Sequence, residues 1–150
     1  MRVVIQRVSE ASVKIDGKVK SKIGRGFVIL LGIEAEDTVD DIAKLTYKIN
    51  RLRVFDDGEG KMNLSITDII GQVMVISQFT LFASTKKGSR PSYIRAAKPE
   101  FARMLYEMFI LQIEKELSTK VASGEFGADM KVSLTNDGPV TIMIDSKVWE

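Results

Sequence analysis

Apolar and polar positions follow several spacings along the chain, and each predicts a different element. The opening residues Met1-Arg2-Val3-Val4-Ile5-Gln6-Arg7 alternate as a half-buried strand does. Around Asp16-Gly17, Ala11, Val13 and Ile15 lead in and Val19 and Ile23 lead out, with lysines on the other face. Asp-Gly suits a type I′ turn, which needs positive φ at both central residues, so this stretch predicts a hairpin. Gly24-Arg25-Gly26 then turns the chain into Phe27-Val28-Ile29-Leu30-Leu31, a continuous apolar run that reads as a buried strand. The spacing becomes helical after Thr38. Asp41 stands three residues further on, close to a capping box, and Ile42, Leu45, Ile49 and Leu52 make one apolar face of a helix ending near Arg53. Residues 72–82 read as a strand. Pro99 opens a second helix at the position that its ring favours. That helix runs to about Leu117 and is expected to bury Phe101, Met104, Leu105, Met108 and Leu111 as core. Two alternating strands, residues 130–135 and 140–145, close the chain, and no repeat or linker interrupts it. The expectation is one α+β domain over residues 1–150, with two principal helices against a mainly antiparallel, barrel-like sheet.

Composition narrows the chemistry. The chain has 150 residues, 45% apolar and 28% charged, with no histidine and no cysteine. A domain this long buries about 68–70% of its unfolded surface, so it needs no disulfide or metal to fold. Without histidine there is no Ser-His-Asp triad, no histidine-bound zinc and no imidazole acid–base pair. Without cysteine there is no thiolate nucleophile and no iron–sulfur centre. An enzyme built from this chain must work with hydroxyls, backbone amides, lysine, tyrosine, carboxylates or the substrate itself. We therefore expect no metal and no cofactor. No apolar run approaches the roughly 18 residues of a membrane span, and the opening residues lack a leader's apolar stretch. The expected location is cytoplasmic, with no membrane partner.

A net charge of +2 says little, but its distribution says more. Between Ala83 and Lys98 stand Lys86, Lys87, Arg90, Arg95 and Lys98 with no acid, in a loop marked by Gly88 and Pro91. Such a cluster suits phosphate, and Lys86, Lys87 and Arg90 are the candidate contacts. The second tract, Lys14, Lys18, Lys20, Lys22 and Arg25 against Asp16, fits lysines on the outer face of a strand, which discourage edge pairing. Asp56-Asp57-Gly58-Glu59-Gly60 lacks the calcium-loop spacing and reads as a solvated turn. Gly58-Glu59-Gly60-Lys61 is too short for a phosphate-binding loop.

Two segments break the local rules. Ser77-Gln78-Phe79-Thr80-Leu81 brings three polar side chains into an otherwise apolar strand. If it stays extended, Gln78 and Thr80 share one face, and Ser77, Phe79 and Leu81 share the other. A buried polar group without a partner costs about 1–3 kcal/mol, so the segment predicts a lined cleft or a bonded network. Its backbone amides could hold an oxyanion. The second is Asn136-Asp137-Gly138-Pro139, between the last two strands, where proline must sit at a turn or a strand start.

Together these segments are similar to the D-aminoacyl-tRNA deacylase family, formerly called D-Tyr-tRNA deacylases. The resemblance spans essentially the whole chain. It includes Met1 through Val8, Arg53-Val54-Phe55, Gly60-Lys61-Met62-Asn63-Leu64-Ser65 and Gly88-Ser89-Arg90-Pro91-Ser92. The most specific matches are Ser77-Gln78-Phe79-Thr80-Leu81 and the closing block from Gly124-Glu125-Phe126-Gly127-Ala128-Asp129-Met130 through Asn136-Asp137-Gly138-Pro139-Val140-Thr141.

The resemblance implies a homodimer that hydrolyses the ester between a D-amino acid, or glycine mischarged on tRNA-Ala, and the 3′-terminal ribose of tRNA. It implies a cis Gly138–Pro139 peptide entering the partner subunit's site, where its carbonyl oxygens exclude an L side chain, with Arg7 holding the loop. Ser77, Gln78, Phe79 and Thr80 would orient the ester and stabilise the oxyanion. Phe126 and Met130 would hold the terminal adenosine. Thr80 acts either as nucleophile or as a positioning group, and substrate-assisted hydrolysis through the ribose 2′-OH is favoured because no histidine can serve as base. Two other readings are a deacylase of mischarged L-aminoacyl-tRNA and a non-catalytic RNA-binding module.

Overall fold

The computed structural model describes residues 1–148. The Asp16-Gly17 hairpin forms as expected, both residues having positive φ (49° and 76°), and it joins β1 (Arg2–Ile15) to β2 (Lys18–Ile23). β3 (Gly26–Gly32) pairs antiparallel with the first half of β1, and its apolar run is buried on both faces. The chain then leaves the sheet through α1 (Val39–Asn50). Thr38 and Asp41 cap that helix reciprocally, and Ile42, Leu45 and Ile49 are buried under it. It ends a turn earlier than expected, at Arg51. A short hairpin follows, β4 (Phe55–Asp56) with β5 (Met62–Leu64). In its turn Asp57 Oδ1 accepts from the amides of Glu59 and Lys61, so the acidic run is a solvated turn.

β6 (Gln72–Ser77) returns parallel to β3, and β7 (Ala122–Ser123) pairs parallel with β6. The sheet is therefore mixed: antiparallel around β1, as expected for most of its pairings, and parallel along β3, β6 and β7. Its order is β2-β1-β3-β6-β7, with β8 (Lys131–Asp145) on the other side of β1, so it curls into a nearly closed barrel. The excursion through α1 is what brings β6 back in the direction of β3, as a strand–helix–strand unit requires. One large apolar core lies between this sheet and the helices, centred on Phe27, Ile29, Leu45, Phe55 and Phe109.

Three further expectations need correction. The strand read as residues 72–82 stops at Ser77, and Phe79–Phe82 form a 3₁₀ turn. The cause lies in the neighbouring strand: β3 ends at Gly32, the amide of Gln78 makes a last bond to the Leu31 carbonyl (2.8 Å), and no ladder remains beyond it. The second helix, α2 (Pro99–Leu117), has the expected bounds but buries another stripe: Ala102, Leu105, Tyr106, Phe109 and Ile113. Of the expected stripe only Leu105 is buried and Phe101 half-buried, while Met104, Met108 and Leu111 are exposed. Finally, the two closing strands are one strand, β8, whose ladder with β1 resumes after an interruption. Val8 pairs with Asn136 and Gln6 with Thr141, so Asp137, Gly138, Pro139 and Val140 stand opposite Arg7 alone.

Candidate active site

Beyond the end of β6 the chain turns tightly because β3 lets it. A Cβ on Gly32 would stand 3.0 Å from the Cβ of Leu81 and 3.1 Å from the Gln78 carbonyl oxygen, so the missing side chain is what allows the turn to lie against the strand. Arg2 clamps it from outside. Its Nη1 donates to the Leu81 carbonyl (3.1 Å), its Nε pairs with Asp145 (2.7 Å), and its guanidinium lies over the Phe82 ring. In the turn the Gln78 side-chain amide donates to the Thr80 hydroxyl, which is the bonded network that the polar cluster predicted. Phe79 and Thr80 are the first two residues of the 3₁₀ turn, where no carbonyl of the turn can accept from their amides. Those two N–H groups therefore have no partner within the turn.

Ser77, Gln78 and Phe79 line a cavity of about 690 Å³, within the range of small-molecule sites. Phe126 and Met130 line it too, so the structure brings together residues nearly 50 positions apart that the sequence had set side by side. Gly124 allows this: a Cβ there would lie 2.2 Å from the Met130 sulfur. Phe126 is flanked by the Tyr106 ring (centroids 5.7 Å apart) and by the Arg103 guanidinium (5.3 Å). Tyr106 is buried, its hydroxyl donates to the Val75 carbonyl (2.9 Å), and burial pushes its phenol up to about 12. The tyrosine thus ties the strand that carries Ser77 to the ring of Phe126.

Gly138, Pro139 and Arg7 are elsewhere on the chain and do not line this cavity. Arg7 is buried at the interruption in the β1–β8 ladder. Its Nε donates to the Asp137 carbonyl (2.8 Å) and its Nη1 to the Val54 carbonyl (2.6 Å), with the carboxylates of Asp56 and Asp137 at 3.5 and 3.6 Å. The Gly138–Pro139 bond is cis, and both residues are exposed. Gly138 has φ 130°, and a Cβ on it would meet Arg7 Nη2 at 3.1 Å. The loop therefore projects from a fixed base.

The basic loop is stapled as well. The backbones of Ser84 and Ser92 exchange two hydrogen bonds (2.8 and 2.9 Å), so Lys86, Lys87 and Arg90 ride on a short exposed tip outside the cavity lining. Sequence reasoning missed Gly32, Tyr106 and the wall formed by Tyr93 and Ile94, and counted Lys98 of that wall only as part of the basic cluster. Gly32 carried one signal, a glycine closing an apolar run. Among the described residues no three potential ligands from His, Cys, Asp and Glu cluster, and no helix is long and apolar enough to cross a membrane.

The barrel with its two helices has the fold of a solved structure described as a probable eukaryotic D-amino acid tRNA deacylase. The match has a TM-score of 0.80 over 95% of this chain and 97% of that one; at 16% identity it establishes the fold alone. The D-Tyr-tRNA(Tyr) deacylase family profile matches residues 4–145, and the chain belongs to this family, whose members are hydrolases acting on ester bonds. It is 61% identical over 147 residues (98% of each chain) to the D-aminoacyl-tRNA deacylase of Flavobacterium psychrophilum. It is 59% identical over 146 residues (97% of each chain) to that of Porphyromonas gingivalis. A solved structure described as a c-Myc DNA unwinding element binding protein is also similar, with TM-score 0.89 and 41% identity over 97% of this chain and 98% of that one.

Proposed function

We propose that this protein removes D-amino acids, and glycine mischarged on tRNA-Ala, from tRNA by hydrolysing the ester to the 3′-terminal ribose. The observation that carries this reading is the shared cavity. The strand end at Ser77, with Gln78 and Phe79 after it, opens into the same space as Phe126 and Met130, and Thr80 follows next in the turn without itself lining that space. An ester carbonyl at the strand end finds hydrogen-bond donors for its oxyanion. A nucleobase finds an aromatic ring and a thioether. Ser77, Gln78 and Thr80 orient the ester. The Gln78 amide already donates to the Thr80 hydroxyl, which fits a positioning role for Thr80, and the ribose 2′-OH helps to place or activate the attacking water.

Selection against L-amino acids falls in this proposal to the Gly138–Pro139 loop, acting in a homodimer. The loop is exposed and lies outside its own chain's cavity, which is the placement needed to enter a second copy's site. Carbonyl oxygens presented there would occupy the space of an L side chain, whereas a D side chain points away and glycine has none. Lys86, Lys87 and Arg90 supply cations for the RNA phosphates on an exposed tip.

The test is release of tyrosine from matched D- and L-tyrosyl-tRNA by purified protein. Rapid cleavage of the D-ester with the L-ester spared is expected, and cleavage of both would overturn the exclusion by the loop. A second reading, a non-catalytic nucleic-acid-binding module, draws on the likeness to the structure described as a DNA unwinding element binding protein. It predicts salt-sensitive binding with neither ester cleaved.

A further inference from the structure

The lining of the cavity is uneven in charge and exposure. Residues 126–130 contribute Phe126 and Met130 together with the acid Asp129, whose carboxylate is taken by Lys131 at 2.9 Å. Residues 93–98 contribute Tyr93, Ile94 and Lys98. Ile94 lines the cavity and is nevertheless 91% exposed, which places it at the opening and leaves it no packing role. Tyr93 meets the exposed ring of Phe79 edge-on, with centroids 5.0 Å apart. Lys98 is the one basic residue of the lining, and among the described residues it makes no ion pair. Arg95, by contrast, is held by Glu34 (3.2 Å) and lies over Phe82.

This segment is held rigidly. Ala97 donates to the Ile33 carbonyl (2.9 Å), Ala96 bridges to Glu34, and Ala96 donates back to Tyr93 (3.0 Å). An apolar surface with one aromatic ring, a free ammonium group and a fixed backbone is what an unpaired nucleotide needs: a platform for the base and a cation for its phosphate. An uncharged amino-acid side chain would leave that cation unpaired, whereas every nucleotide brings a phosphate to it. The terminal adenosine has Phe126 and Met130. The strand leading to it carries phosphates, and the 93–98 wall is the one with an unneutralised cation; it also continues from the basic tip at Lys86, Lys87 and Arg90.

We infer that the nucleotide preceding the terminal adenosine docks on this wall. Its base rests on Tyr93 and Ile94, and the phosphodiester joining the two nucleotides lies beside Lys98. This rests on the reading given under Proposed function. The RNA strand therefore leaves the cavity over residues 93–98 toward the basic loop.

The test compares D-tyrosyl esters of adenosine and of the dinucleotide CpA, with wild-type protein, Ile94→Ser and Lys98→Ala. The wild type is expected to show a higher kcat/KM for the CpA ester. Ile94→Ser should lower the ratio of the two esters' kcat/KM about five-fold, as loss of a partly buried apolar contact does, with the change in KM. Lys98→Ala should flatten the salt dependence of that ratio. Equal kcat/KM for both wild-type esters would overturn the inference, as would a ratio that Ile94→Ser leaves unmoved. So would an Ile94→Ser effect that appears with D-tyrosyl and vanishes with D-alanyl esters, because it would assign the wall to the amino acid. If neither short ester is cleaved, D-tyrosyl-tRNA still decides the proposed function, and calorimetric affinities of uncharged CpA and adenosine decide the docking. A preference for CpA that Ile94→Ser removes supports it, and its absence overturns it.

Discussion

Replacing Arg7 by methionine tests whether the projecting Gly138–Pro139 loop is held by one buried guanidinium. Methionine fills much of the same volume but cannot donate to the carbonyls of Asp137 and Val54, which Arg7 meets at 2.8 and 2.6 Å. Hydrogen bonds from a charged group are worth about 1.5–3 kcal/mol each, and part of that is returned because the guanidinium no longer has to be desolvated. The partner carboxylates of Asp56 and Asp137 are 48% and 43% exposed, so water screens them once the cation is gone. The net loss is about 2–4 kcal/mol, which for a chain of this size lowers Tm by roughly 4–16 °C. If a third or more of that energy holds the loop in place, about 1.4 kcal/mol, the ratio of kcat/KM for D- over L-tyrosyl-tRNA falls about tenfold. Asp56→Asn is the control, since it removes only the exposed half of an ion pair and should change Tm little. The assay pairs a thermal melt with D- and L-ester hydrolysis at a temperature where the variant is folded. A variant with wild-type Tm and undiminished discrimination would show that Arg7 does not hold the loop.

Other predictions follow from the site itself. Tyr106 has its phenol pushed up to about 12, so its contribution is fully present below the unfolded value near 10 and is lost as pH rises from there toward 12. Melts between pH 9 and 12 should show a loss of about 2–3 kcal/mol beyond that of Tyr106→Phe, and parallel curves would refute the assignment. Gly32→Ala should push the Gln78 carbonyl and lower kcat several-fold with about 1 kcal/mol of lost stability, because its Cβ sits 3.0 Å from Leu81. An unchanged kcat would mean that the turn can move without consequence. Thr80→Ala should keep its rate within about tenfold of wild type, whereas a substrate ending in 2′-deoxyadenosine should react far more slowly. A rate retained within that range rules out a covalent threonine intermediate, and loss of all activity would refute the view that the hydroxyl only helps to position the ester.

The elements governed by local chemistry were legible in the sequence. Asp16-Gly17 dictates its turn, Thr38 and Asp41 their cap, and Pro99 the start of its helix, because each acts through atoms within a few residues. What failed depended on distant neighbours. The mixed sheet was signalled by runs apolar on both faces, Phe27 to Leu31 and Val73 to Ile76, which suit parallel strands covered on both sides, but periodicity alone does not name a partner. Helix α2 is apolar around most of its circumference. The stripe of Phe101, Met104, Leu105, Met108 and Leu111 and the buried stripe of Ala102, Leu105, Tyr106, Phe109 and Ile113 therefore have equally good helical spacing, and only docking distinguishes them. In the candidate site, Ser77, Gln78, Phe126 and Met130 stood out by pattern and resemblance. The break of the strand after Ser77 did not, since it is set by where β3 ends.

The loop inserted in β8 has a further consequence, for parity. After it the ladder with β1 resumes, so that Ile142 and Ile144 pack against the core while Met143 is 74% exposed. Side chains on a strand alternate between faces, so a shift of one residue would turn both isoleucines outward and draw Asp145 away from Arg2. A single-residue insertion or deletion between Asn136 and Thr141 must therefore be absorbed wholly within the loop or undo the strand behind it. Changing the loop by two residues preserves the alternation. The pairing that resumes at Thr141 thus sets the alternation of the strand behind the loop, and a change of loop length alters its reach alone as long as that pairing holds.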